Sequence, residues 1–202
     1  MIGLSPETLA YTAVALIVAA TIHEFAHAYA AVRLGDPTPQ QQGRLTLNPL
    51  AHLDPIGSLM IFLVGFGWAR PVEIQPANFS DWRRGVLLVA VAGPLANVAA
   101  VALLGLPVRL GSVPPAEWAV DLWSAMIRIN AVLAVFNLLP IPPLDGSRIL
   151  ASLLPGPYAV WYARLQPIGI VVLVVLLFTG SLGRILTPPV LWLIRWGTGL
   201  PL

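Results

Sequence analysis

The sequence contains no cysteine and no lysine, and only 10% of its 202 residues are charged. The missing cysteine excludes disulfides and thiolate metal sites. All eleven basic residues are arginine, and the net charge is only +2. They are scattered along the chain, so no basic patch of the kind nucleic acid requires can form. A soluble globular domain carries ~25% charged residues. Here 57% of residues are hydrophobic and the mean hydropathy is +0.82, which excludes an ordinary soluble domain. Histidine is scarce as well, with three in the chain. No internal repeat or low-complexity tail is visible. Residues 1–8 lack a basic n-region, so no cleavable signal peptide is expected.

Apolar segments recur along the whole length. The expected fold is an all-α polytopic membrane protein of about five to six membrane helices. It reads as a single membrane-embedded domain over 1–202, with a core of about 6–154 and extra C-terminal helices at about 157–197. The first helix should start at Ser5, with Pro6 in the first turn and Glu7 favourable to the dipole, and stop at Gly35. Residues 44–48 alternate polar and apolar, and 72–75 read as a second short strand. Together they suggest a small membrane-associated β element within about 43–75. Between them, 56–66 is apolar but short, suited to a re-entrant or interfacial helix or to a span completed by neighbouring residues. Further spans are expected at 85–106, 117–139 and 158–179. The last apolar segment, 184–196, should be broken by Pro188 and Pro189. Arg128 and Asn130 lie inside the span at 117–139. A buried arginine needs a partner, for which Asp121 and Asn130 are the candidates.

Within the first apolar helix stands His-Glu-Phe-Ala-His at 23–27. Residues four apart share a helix face, so His23 and His27 can point at one metal ion, with Glu24 beside them as a general base. Three ionisable groups in five positions are expensive at membrane depth and need a reason. A catalytic zinc takes three protein ligands and keeps one position open. Asp145 stands out as the third because it follows a proline-rich helix break beside an apolar segment. Asp54 competes for that place, although it also suits capping the helix that begins near Pro55. His52 reads as a surface or interfacial residue. Asn97 reads as a helix-packing hydrogen bond or a group near the site.

Taken together, His-Glu-Phe-Ala-His at 23–27, Ala-Gly-Pro-Leu-Ala-Asn at 92–97 and Asn-Leu-Leu-Pro-Ile-Pro-Pro-Leu-Asp-Gly at 137–146 resemble the site-2 protease family of intramembrane zinc metalloproteases. The stretch at 43–57 is similar to its small bacterial and archaeal members, without PDZ or CBS domains. The resemblance implies one Zn²⁺ per chain on His23, His27 and Asp145, with Glu24 as the catalytic glutamate. It also implies Asn137, Pro140 and Asn97 near the site, contacting substrate or orienting the metal ligands. It implies as partners the lipid bilayer and a membrane-protein substrate with a locally unwound helix, gripped by a short sheet near the site. Arg33, Arg44, Arg70, Arg83, Arg84 and Arg148 would share one side if 56–66 does not cross fully. The positive-inside rule makes that side cytoplasmic and turns the active site toward it, in a prokaryotic cell membrane. Two other classes fit the His/Glu/Asp set: a polytopic transporter using it as a relay, or a proteolytically silent scaffold of the same family. The lack of repeated halves argues against the transporter.

Overall fold

The computed structural model describes residues 5–54, 57 and 69–200. Helix α1, Pro6–Arg33, begins as expected: Ser5 Oγ accepts the Thr8 N–H at 3.2 Å and Pro6 occupies the first turn. Its 28 residues make a rod of about 42 Å, longer than the ~30 Å hydrocarbon core. A four-residue turn, α2 (Thr38–Gln41), leads into an irregular connection. Helix α3, Trp82–Arg109, is capped by Asp81, whose carboxylate accepts the Arg84 N–H at 3.1 Å. Helix α4, Glu117–Asn137, follows a short loop. The chain breaks at the prolines of 140–143 and restarts as α5, Asp145–Leu153, then α6, Gly156–Ala163, α7, Gln166–Phe178, and α8, Ser181–Thr198.

Helices α1, α3 and α4 pack against one another, α5 lies against α3, and α8 lies against α3 and α4. Apart from Thr21, His23 and His27, the residues that α1 buries are alanines, Ala15, Ala19, Ala28 and Ala31, which lets the helix axes approach closely. Val101, Ile127, Ala131, Ala134, Val190 and Leu193 form the core between α3, α4 and α8. A second cluster, Ala31, Phe79 and Val89, closes the end of the bundle where α1 stops and α3 starts.

The structure corrects three expectations here. Among the described residues, three helices, α1, α3 and α4, are long and apolar enough to cross a membrane, or four if α6 and α7, bent by 56°, make one broken span. The expectation for the whole chain was five to six. The described residues hold no strand, so the small β element is absent there. The sheet-like contact that remains is an antiparallel bridge between Leu53 and Ala69, beside the Arg70 N–H to His52 carbonyl bond of 2.8 Å. Pro49, Pro71 and Pro76 have no N–H to give a ladder, and the buried Arg44 guanidinium takes the carbonyls of Ala51, Arg70 and Pro71 instead. The expected short segment at 56–66 lies outside the described residues apart from Gly57. Its N–H bonds Asp54 Oδ1 at 2.7 Å, in keeping with a capping role for Asp54.

The second correction concerns α8, which runs unbroken through Pro188 and Pro189. Val190, Leu193 and Leu186 seat it in the groove between α3 and α4, and that packing outweighs the lost backbone bonds. The third concerns Arg128, which lies on an exposed face while Asn130 is fully buried. Residues two apart on a helix are about 200° around its axis, so they cannot be partners.

Candidate metal centre

His23 and His27 face the interior of the bundle from α1 and are both buried. Asp145, the first residue of α5, is also buried, and its place at a helix N-terminus favours a carboxylate. The break at 138–144 turns the chain so that this residue meets α1. One fastening of that break is Tyr162, whose hydroxyl donates to the Pro140 carbonyl at 2.7 Å.

Three atoms converge. His23 Nε2 is 3.0 Å from Asp145 Oδ2, His27 Nε2 is 3.2 Å from the same oxygen, and the two Nε2 atoms are 3.0 Å apart. The other nitrogen of each ring is spoken for. His27 Nδ1 lies 2.7 Å from the Val89 carbonyl, and His23 Nδ1 lies 2.6 Å from Asn97 Oδ1. Carbonyl oxygens only accept, so in a neutral imidazole each Nδ1 carries the proton and each Nε2 presents a lone pair. Two lone pairs and a carboxylate oxygen then face one point in a buried site. Such a cluster repels itself unless a cation sits among it. Ligands at ~2.0–2.1 Å around a tetrahedral ion stand about 3.3 Å apart, close to the observed triangle. His23, His27 and Asp145 thus fit a divalent metal ion by donor chemistry and by spacing.

Gly93 on α3 makes the room. A Cβ built on it would lie 2.6 Å from His27 Cε1 and 2.7 Å from His23 Cε1, far inside contact distance. Behind His23, Asn97 Nδ2 donates to the Ala19 carbonyl at 3.1 Å and to Asn130 Oδ1 at 2.8 Å. Glu24 stands beside His23 on α1. Its Oε2 accepts the backbone N–H of Val72 at 3.2 Å, in the irregular segment that replaces the expected strand.

That segment is tied down at its far end by Asp36, just past α1. Asp36 Oδ1 accepts from the Thr38 N–H, the Thr38 hydroxyl and Asn78 Nδ2, and Oδ2 accepts the Gln75 N–H at 2.7 Å. Burial raises the pKa of this carboxyl, but the hydrogen bonds from Thr38, Asn78 and Gln75 outweigh it and hold the group below its ordinary value.

The remaining expected residues divide. Asn97 is in the cluster as an acceptor for His23. Among the described residues, Asn137 and Pro140 do not enter it: the Asn137 side chain donates to Leu133 O one turn back, and Pro140 is exposed. His52 is not a surface residue. It is buried, with Nε2 2.8 Å from the Thr46 carbonyl, and it holds the loop rather than the metal triangle. Sequence reasoning missed Asn130 as a site residue. A lone asparagine in an apolar helix carries the same signal as Asn97, but close to Arg128 in sequence it suggests a partner for that arginine. The Val89 carbonyl and Val72 N–H left no trace in the sequence, because every residue has such groups.

Long apolar helices around a buried His/His/Asp triangle define a helical integral membrane protein with a metal-binding centre. The comparisons agree on which kind. The profile of Peptidase family M50 matches residues 104–180. YwhC of Bacillus subtilis (strain 168), which its name gives as a candidate zinc metalloprotease, is 41% identical over 185 residues, covering 88% of this chain and 84% of its own. Rip2 of Mycolicibacterium smegmatis, similarly named, is 35% identical over 178 residues, covering 85% of this chain and 68% of its own. Rip2 of Mycobacterium tuberculosis (strain ATCC 25618 / H37Rv) is 35% identical over 158 residues, covering 71% of this chain and 60% of its own. No solved structure is significantly similar. The chain belongs to peptidase family M50, the site-2 protease family.

Proposed function

We propose that the protein is an intramembrane zinc endopeptidase that cuts membrane-embedded helices. The observation that carries this is the triangle of His23 Nε2, His27 Nε2 and Asp145 Oδ2, three lone-pair donors 3.0–3.2 Å apart with both Nδ1 protons held elsewhere. His23, His27 and Asp145 would hold the ion. Zinc bound there supplies Lewis acidity, bringing the pKa of a water toward ~7 and polarising a carbonyl. Glu24 takes the proton of the attacking water on a carboxylate oxygen and returns it to the leaving amine. Its Val72 partner is a backbone N–H, which supports a carboxylate acceptor and leaves the second oxygen for that proton.

A helical substrate shields its peptide bonds, so the segment to be cut must unwind. The irregular run at 70–75, beside Glu24, is where an extended substrate strand would lie. His27 is six residues from Arg33, about 9 Å along the helix, so the centre lies toward the end of the bundle that carries Arg33, Arg83 and Arg84. We place that end on the cytoplasmic side of a prokaryotic cell membrane, following the arginine excess.

The test is zinc content together with cleavage of a membrane-helix substrate, for wild type, Glu24→Gln and Asp145→Ala. Glu24→Gln should keep its zinc and lose cleavage by about 10²–10⁴-fold. Asp145→Ala should lose both. Undiminished cleavage by Glu24→Gln overturns the mechanism.

A further inference from the structure

Asn97 and Asn130 are both fully buried, at 0% exposure, in helices that are otherwise apolar. Their amides run in one direction. Asn130 Nδ2 lies 2.8 Å from the Met126 carbonyl, an oxygen that only accepts, so this end of the Asn130 amide is the donor. Asn130 Oδ1 is therefore free to accept, and it takes an N–H from Asn97 Nδ2 at 2.8 Å. Asn97 Nδ2 gives its other hydrogen to the Ala19 carbonyl at 3.1 Å, which leaves Asn97 Oδ1 facing His23 Nδ1 at 2.6 Å. Two backbone carbonyls, on α1 and α4, thus set the polarity of the whole chain. Flipping either amide would put its oxygen against a carbonyl oxygen in a buried site.

We propose that Asn130 is a positioning residue of the metal centre. It acts through Asn97 to hold His23 as the Nδ1–H tautomer, so that its Nε2 lone pair is always the atom offered to the metal. The proposal deepens the reading of His23 as a zinc ligand and rests on it. An imidazole free to choose would spend part of its time with the proton on Nε2, where it cannot bind metal. His27 has a backbone carbonyl, Val89 O, for the same purpose. Among the described residues, His23 Nδ1 meets a side-chain amide instead, and it borrows the polarity of Ala19 and Met126 through two side chains. The same relay ties α1, α3 and α4 together at the depth of the site. A purely structural hydrogen bond would do that too, so the test must read the histidine.

The experiment uses the full chain in detergent micelles with ¹⁵N-labelled histidine. In zinc-free wild type, the ¹⁵N shifts of His23 should report the Nδ1–H tautomer. Asn97→Leu, which offers no oxygen to Nδ1, should shift that tautomer toward Nε2–H. Zinc affinity, read by competition with a chelator, should fall about 10–100-fold in Asn97→Leu. It should fall several-fold in Asn130→Leu, with no further loss when the two are combined, because one residue acts through the other. A His23 that carries its proton on Nε2 in the zinc-free wild type overturns the proposal, with no variant needed. Unchanged zinc affinity in Asn130→Leu, or losses that add in the double variant, also overturns it. A chain that fails to bind zinc while His23 holds the Nδ1–H form would instead count against the zinc peptidase reading.

Discussion

At the scale of single residues, the site depends on an absent side chain as much as on those present. Gly93 leaves the space that the two imidazole rings fill. Gly93→Ala would drive a methyl group into ring carbons that the triangle cannot spare. It should destabilise the protein by about 1–3 kcal/mol and weaken zinc binding at least tenfold. Gly183, on α8, is the control, because a Cβ there meets nothing within 4 Å. Gly183→Ala should leave zinc binding unchanged and stabilise slightly, by about 0.4–1 kcal/mol. Thermal unfolding and chelator competition on both variants check the pair. From sequence, a glycine in an apolar helix signals only that another element comes close. It does not reveal that the close neighbours are the metal-ligand candidates, since that depends on how α3 is rotated against α1.

At the scale of elements, the segment beside Glu24 is held by side chains rather than by a sheet. Arg44 fastens the backbone at Arg70 and Pro71, and Asp36 fastens it at Gln75 and Asn78. The Asp36 carboxyl has its pKa lowered in the folded protein. The stabilisation is therefore complete above the unfolded value of ~3.9 and is lost as pH falls through the lower folded value. The 69–80 segment should loosen below about pH 4, measured as faster amide hydrogen exchange of Gln75 and Thr38. Asp36→Asn should loosen it at neutral pH as well, by about 1–3 kcal/mol, and should remove the acid dependence. The strands expected at 44–48 and 72–75 illustrate why alternation can mislead. Period-2 patterning shows that a segment is extended and half-buried, but a strand also needs a partner with free N–H and C=O groups. The prolines and Arg44 remove those groups.

At the scale of the whole molecule, the metal would tie α1 to α5, joining residues 118 and 122 positions apart. Binding to the folded state alone stabilises it by mass action, about 2.7 kcal/mol when free zinc is 100 times its Kd. Chelation should lower the unfolding temperature of wild type in detergent. The same treatment should leave Asp145→Ala unmoved, because that variant holds little metal to lose. Equal shifts in both proteins would show that the chelator acts elsewhere than at the triangle. The α6–α7 bend and the exposed apolar face of α7, with Ile170, Val171, Val175 and Phe178 outward, suit a hydrocarbon surrounding.

The sequence by itself determined the local features. Ser5, Pro6 and Asp81 start helices because caps and proline act within one turn. The apolar runs set the class of protein because apolar length is a property of the chain. The spacing of His23 and His27 set two metal-ligand candidates on one face because a helix repeats every 3.6 residues. Asp145 was legible as the third through the cost of leaving a carboxylate alone in an apolar setting. The tertiary structure decided what depends on direction and on backbone groups. Which nitrogen of each histidine holds a proton is set by Val89 O and by the amides of Asn97 and Asn130, across three helices. The unbroken α8 and the clasped loop were likewise decided by packing partners far away in sequence, which no local pattern encodes.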